Sequence, residues 1–140
     1  MKRILLITAL ALLAFSKTTL ADSITITVQN IKSSGGKISC SLYNQPKGFP
    51  TKGAKVAHQR LNADSKGVTC HFDELAPGTY AATVLHDLND NKKMDKNFFG
   101  IPSEDWGITN NIRPNMRAPT FDEAKFELKT SINMEVKIDS

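Results

Sequence analysis

The chain has 140 residues, 40% of them hydrophobic and 23% charged, with a formal net charge of +4 and a pI near 9.1. That length supports one domain with a processed end, and the composition excludes a disordered, collagen-like or multi-span membrane chain. The basic excess points to nucleic acid only until its location is read.

Lys2 and Arg3 precede residues 4–15, an apolar run whose one polar member is Thr8. Such a run suits the apolar region of an export signal and falls short of the about 20 residues that span a bilayer. Thr19-Leu20-Ala21 offers a small-residue cleavage site, so residues 1–21 read as a signal peptide and residues 22–140 as the domain. The competing reading is a buried N-terminal helix. Basic start, apolar run and cleavage triplet in that order favour export. Cleavage removes Lys2, Arg3 and Lys17 and no acid, leaving 15 Lys+Arg against 14 Asp+Glu, about +1. The remaining basic residues form no dense run, so no nucleic-acid partner is expected, and no transmembrane span after the signal. The expected compartment is the periplasm, with secretion to the medium as the alternative.

After the signal, period-two alternation dominates. Ile24, Ile26 and Val28 alternate with Thr25 and Thr27. Ser33-Ser34-Gly35-Gly36 is a turn into a strand over residues 37–43, which predicts an opening hairpin. Residues 44–53 hold two prolines and two glycines and read as a loop, and residues 55–61 as a weaker strand containing His58. Strands follow at residues 68–72, with His71 on the outer face, and at residues 80–86. Thr120-Phe121-Asp122-Glu123 has capping-box spacing and predicts one helical turn. Residues 124–128 and 132–138 read as a closing pair. About seven short strands with little helical periodicity predict an all-β fold, a single antiparallel β-sandwich of immunoglobulin-like or transthyretin-like type.

Cys40 and Cys70 each fall mid-strand on an inward-facing register, with Ile38 and Leu42 and with Val68 and Phe72. Export permits a disulfide, and two cysteines without CxxC spacing make a poor zinc or redox site. A structural Cys40–Cys70 bridge is favoured over two buried thiols or a metal pair.

Residues 87–111, DLNDNKKMDKNFFGIPSEDWGITNN, show no convincing strand or helix. Loops this long in compact domains are functional or disordered. Phe98, Phe99, Ile101 and Trp106 supply apolar anchors, which predicts an ordered loop packed on one end of the sandwich. Asp87, Asn89, Asn91 and Asp95 have the spacing of a calcium loop, with the Lys93 carbonyl as a fifth ligand. Lys92 occupies the turn position where an EF-hand needs Gly, and Phe98 the position of its bidentate Glu. The alternative is a set of Asx-turns, in which these side chains bond their own backbone. His86, beside Asp87, is either a hydrogen-bonded residue pinning the loop base or a general base. Trp106 reads as packing for the loop or as a stacking platform. Arg113 and Arg117 follow as solvated residues within reach of an acidic ligand.

The stretch HDLNDNKKMDKNFFGIPSEDWGITNN, followed by RAPTFDEAKFEL, resembles the signature of domain of unknown function 2141, a family of small exported bacterial proteins. The matching residues are His86, Asp87, Asn89, Asn91, Asp95, Asn97, Gly100, Pro102, Glu104, Gly107, Asn110 and Asn111, then Pro119, Phe121, Ala124 and Phe126. LAPGTYAATVLHD resembles the family's turn and strand before the loop. Lys92 and Thr109 stand where the family usually has Gly and Ser. The resemblance covers essentially all of residues 22–140. It implies export and a sandwich similar to transthyretin-like or carboxypeptidase-regulatory domains, and no activity.

Three functions are weighed. The first is a non-enzymatic module that binds a small molecule, glycan or envelope protein through the loop surface of His86, Phe99, Trp106, Asn110 and Asn111, with or without calcium. The second is a transthyretin-like hydrolase using His86. That class carries a C-terminal Tyr-Arg-Gly-Ser, whereas this chain ends Val136-Lys137-Ile138-Asp139-Ser140. The third is an accessory domain of the cell envelope. The first and third are favoured, with no catalytic residues assigned.

Overall fold

The computed structural model describes residues 21–140. The signal-peptide reading lies outside the described residues, Ala21 excepted. Eight strands follow in order: β1 (Asp22–Gln29), β2 (Lys37–Tyr43), β3 (Ala57–Asn62), β4 (Val68–Leu75), β5 (Gly78–Asp87), β6 (Trp106–Ile108), β7 (Phe126–Leu128) and β8 (Ile132–Lys137). One short helix, α1 (Phe121–Ala124), precedes β7, and Thr120 and Glu123 cap it reciprocally as the spacing predicts.

The strands form two facing sheets, so the all-β sandwich holds. One sheet has the order β4-β1-β8. The other runs β3-β2-β5-β6, and β7 pairs with the first residues of β5. Each sheet turns its alternating apolar residues inward. Ile24, Ile26 and Val28 of β1, Ile38 and Leu42 of β2 and Val136 of β8 are all fully buried. Burial of such side chains is worth about 1.5–3 kcal/mol each and locks the register, since a slip of one residue would turn the whole set to solvent.

Three topological expectations change. β1 and β2 are not a hairpin: β1 pairs with β4 and β8, and β2 with β3 and β5. Their connection carries a buried Ile31, so it plugs one end of the sandwich and delivers the chain to the opposite sheet. β7 and β8 likewise belong to different sheets. Finally, β8 runs parallel to β1 and sets Ile132, Met134 and Val136 beside Ile24, Ile26 and Val28. Three inward apolar residues matched one to one make this the register that buries both sets.

The disulfide is present. Cys40 in β2 and Cys70 in β4 join the two sheets through the buried core, with a Cα separation of 6.5 Å. A second apolar cluster lies on the outer face of the five-stranded sheet, where Tyr43, Ala81 and Ile108 are covered by Phe121 and Ala124 and flanked by Phe49. Phe49 meets both Tyr43 and Phe121 edge-on.

Replacing Cys40 and Cys70 together by alanine removes a cross-link between residues 30 apart in sequence. Such a link is worth about 3 to 4 kcal/mol by restricting the unfolded chain. The melting temperature should fall by roughly 10 °C, at about 3 °C per kcal/mol for a domain of this size. Equal thermal melts for the oxidised protein and the double variant would refute this contribution.

Candidate functional site

β5 ends in His86 and Asp87, and the pleat sends them to opposite faces. His86 points into the core and is 1% exposed. Its Nε2–H donates to the Gly35 carbonyl at 2.7 Å. It pins the β1–β2 connection and is not part of an exposed loop surface. Its inward register alongside Val84 is the physical reason.

Asp87 points outward yet is fully buried beneath its own loop. Its Oδ1 accepts the Asn91 N–H at 3.1 Å and its Oδ2 the Lys92 N–H at 2.8 Å. Arg60, reaching across from β3, donates to Oδ2 at 3.0 Å and bonds Asp90 as well. Burial pushes the Asp87 carboxyl up, but the Arg60 guanidinium and the two backbone N–H groups outweigh burial and hold it below the ordinary carboxylate range. The turn over this carboxylate needs a left-handed residue, and Lys92 supplies it with φ 65°. A lysine in this conformation closes the tight turn at a cost of order 1 kcal/mol. Gly36 packs against the same point: a Cβ there would overlap the Asp87 carbonyl oxygen.

The rest of the loop is built the same way. Glu104, almost wholly buried, accepts the Leu88 N–H at 2.9 Å and the Asp95 N–H at 3.1 Å, stapling two distant points of the loop. Asp95 accepts the amide groups of Asn89 at 2.6 Å and Asn91 at 2.8 Å. Asn97 Oδ1 accepts the N–H groups of Phe99 and Ile101. The expected apolar anchoring is corrected by this network. Phe98 is 97% exposed, Phe99 83% and Ile101 56%. The loop is ordered by carboxylates and amides that satisfy its backbone donors, which a loop must do when it buries them.

The proposed calcium ligands Asp87, Asn89, Asn91 and Asp95 do gather, with Lys93 donating its N–H to Asn91 Oδ1 at 3.0 Å. Every side-chain oxygen of the set accepts a protein donor. Arg60 faces Asp87, and the two amide groups face Asp95. This is the Asx-turn arrangement. Among the described residues no group of three or more His, Cys, Asp or Glu side chains is placed to hold a metal.

Asn110 and Asn111 serve the opposite end. Both are left-handed. Asn110 donates to the carbonyls of Glu123 and Lys125 around α1, and Asn111 accepts the Lys137 N–H of β8. They knit elements together and stand apart from the Asp/Asn cluster. Trp106 lies in β6, a strand hidden within the predicted loop, beside Leu85 of β5. Arg113 stacks over its ring at 4.2 Å. Arg117 grips Glu123 with both nitrogens at 2.9 and 2.7 Å.

Between the second apolar cluster and the long loop, the outer face of the five-stranded sheet is open. β3, β2, β5 and β6 set Arg60, Ser39, Leu85 and Trp106 in one row across it, and His58, Ser41, Thr83 and Ile108 in the next. Ser39, Ser41 and Thr83 in the middle strands, with larger side chains around them, make a trough. The resulting cleft of about 1140 Å³ is walled by the long loop, by residues 50–55 and by residues 113–119. This surface escaped the sequence reading, because its residues come from every part of the chain. Arg60 escaped it too, and Glu104 was noted only as part of the resemblance, with no role. The only signals were an outward register for Arg60 and a carboxylate in a loop rich in unpaired backbone.

A family model described as "Uncharacterized protein conserved in bacteria (DUF2141)" matches residues 26–136. No curated protein and no solved structure matches the chain.

Two outcomes follow from the loop geometry. A carboxyl held low in the native state stabilises above its unfolded value near pH 4, and that contribution is lost as pH falls through the native value. Asp87→Asn should therefore cost about 2 kcal/mol at neutral pH in urea unfolding, with a gap from wild type that is narrower at about pH 3 than at pH 7. A gap equal at both pH values would contradict the ion-pair account. Melting temperatures in millimolar calcium and in chelator should agree within about 1 °C, since a ligand that binds the native state must raise them. A rise of several degrees that Asp87→Ala abolishes would establish calcium instead.

Proposed function

The chain belongs to the bacterial family DUF2141, and we propose that it is an exported, non-enzymatic binding module whose ligand surface is the cleft on the outer face of the five-stranded sheet. The observation that carries this reading is the cleft itself. A sheet face with Ser39, Ser41, Thr83 and Leu85 along its middle strands, flanked on three sides by ordered segments, is a concavity of the size that encloses small ligands. The hydrogen-bond network of Asp87 and Glu104 orders one wall, which lowers the ordering cost of binding.

Export is supported by the N-terminal pattern of residues 1–21 and by a disulfide that an oxidising compartment maintains. The periplasm is the proposed compartment. Binding is favoured over hydrolysis by the placement of His86, whose ring is buried and committed to a backbone carbonyl. Ser41 and His58 do meet at the cleft edge, Oγ to Nδ1 at 2.9 Å. Burial and the charges of Lys55 and Arg60 lower the His58 pKa, yet among the described residues no carboxylate pairs with its ring to orient it as a base.

The test is a neutral, environment-sensitive dye such as Nile red, added to the folded residue 22–140 protein. Fluorescence should rise on binding, and Ser39→Trp, which fills the floor from an outward-facing strand position, should weaken binding at least about fivefold with unchanged circular dichroism. No fluorescence gain, or equal binding to wild type and Ser39→Trp, would discard the cleft as the ligand surface.

A further inference from the structure

The residues lining the cleft include eight Lys and Arg side chains and no Asp or Glu. Residues 22–140 as a whole carry 15 basic against 14 acidic side chains, so more than half of the basic groups face one concavity in a nearly neutral domain. Arg60, Arg113 and Arg117 are engaged, with Asp87 and Asp90, with the Trp106 and Asp139 carbonyls, and with Glu123. Lys52, Lys55, Lys92, Lys93 and Lys96 form no ion pair among the described residues. Like charges around a low-dielectric trough focus a positive potential into it.

The same walls are apolar. Leu85 and Trp106 lie on the floor, Ile101 and Phe99 on the loop side and Met116 opposite. Phe99 is 83% exposed and Met116 104%. Large apolar groups left exposed together at the rim of a concavity mark a surface that something covers.

We propose that the cleft takes a single-chain amphiphile with an anionic headgroup, the alkyl tail against Leu85, Trp106 and the rim and the headgroup among the unpaired lysines. This rests on the cleft being the ligand surface. Charge complementarity chooses the occupant. A hydrophilic polyanion would neutralise the lysines and leave Phe99, Ile101 and Met116 in water. A neutral lipid would cover the apolar groups and leave the lysines unneutralised. An anionic amphiphile does both.

Displacement of bound Nile red separates these cases, with laurate, dodecyl maltoside and dodecyltrimethylammonium below their micellar concentrations and tripolyphosphate as a tail-free anion. Laurate should displace the dye at a concentration at least about tenfold below either other amphiphile, and the advantage should shrink as salt screens the lysines. The triple variant Lys92→Glu, Lys93→Glu and Lys96→Glu, all at exposed positions, should lose most of the laurate advantage while still binding the dye. Equal displacement by laurate and dodecyl maltoside would overturn the anionic preference and leave the cleft reading standing. Displacement by tripolyphosphate as effective as by laurate would make the site one for polyanions and overturn the amphiphile. Dye binding insensitive to Ser39→Trp would defeat the underlying cleft reading itself.

Discussion

The carboxylate of Asp87 is the point on which the functional end of this molecule turns. It is buried, charged and placed at the end of a central strand, so it must find strong donors or lose its charge. Arg60 comes from β3, the edge strand of the same sheet, and the N–H groups of Asn91 and Lys92 come from the loop, four and five residues on. Satisfying one group therefore fixes the loop to the sheet. Glu104 repeats the device at the loop's return, and the amides of Asn89 and Asn91 tie the intervening Asp95 into the same network. The connection over residues 88–105, between β5 and β6, becomes an ordered wall, and its Phe98, Phe99 and Ile101 side chains face outward.

That outward placement connects the scaffold to the cleft. Had Phe98, Phe99 and Ile101 been needed to hold the loop, they would be buried, and the rim would be polar. Because carboxylates and amides do the holding, the aromatic pair is free at the surface, edge to face with ring centres 5.6 Å apart. The same turn places Lys92, Lys93 and Lys96 along the trough. Electrostatics is thus divided between two layers. Acidic groups lie beneath the loop, where they meet Arg60 and backbone N–H groups, and basic groups lie above it, where they meet solvent.

The legibility of the sequence follows the range of the interactions. Alternation in residues 24–28, 37–43 and 68–72 reports burial that repeats every second residue, so strands, core faces and the Cys40–Cys70 bridge could be read directly. The capping box at Thr120 is local, and it was legible for that reason. Partner choice between strands is not local. Ile24 fits against Ile132 as well as against any residue across a hairpin, and only the packing of both sheets selects the parallel pairing of β1 with β8. The Asx-turn reading of residues 87–95 could be weighed because its acceptors and donors lie within a few residues of each other. Arg60, 27 positions from Asp87, left no such trace. The family signature proves to be largely structural in this chain: Asp87, Asn97, Glu104, Asn110 and Asn111 satisfy backbone groups, Phe121 and Ala124 fill the second apolar cluster. The cleft draws on lysines and rim groups that mostly fall outside it.

β6 is three residues long and lies so close to β8 that Gly107 has no room for a Cβ beside Lys137 and Val136. Its Trp106 exchanges two backbone hydrogen bonds with Asp139, at 2.9 and 3.0 Å, just past the end of β8. The two sheets are therefore laced together along one side, and the sandwich there behaves as a partly closed barrel. Exposed strand edges are templates on which foreign chains can polymerise. The bonds between Trp106 and Asp139 occupy backbone groups that β6 would otherwise offer along an open edge.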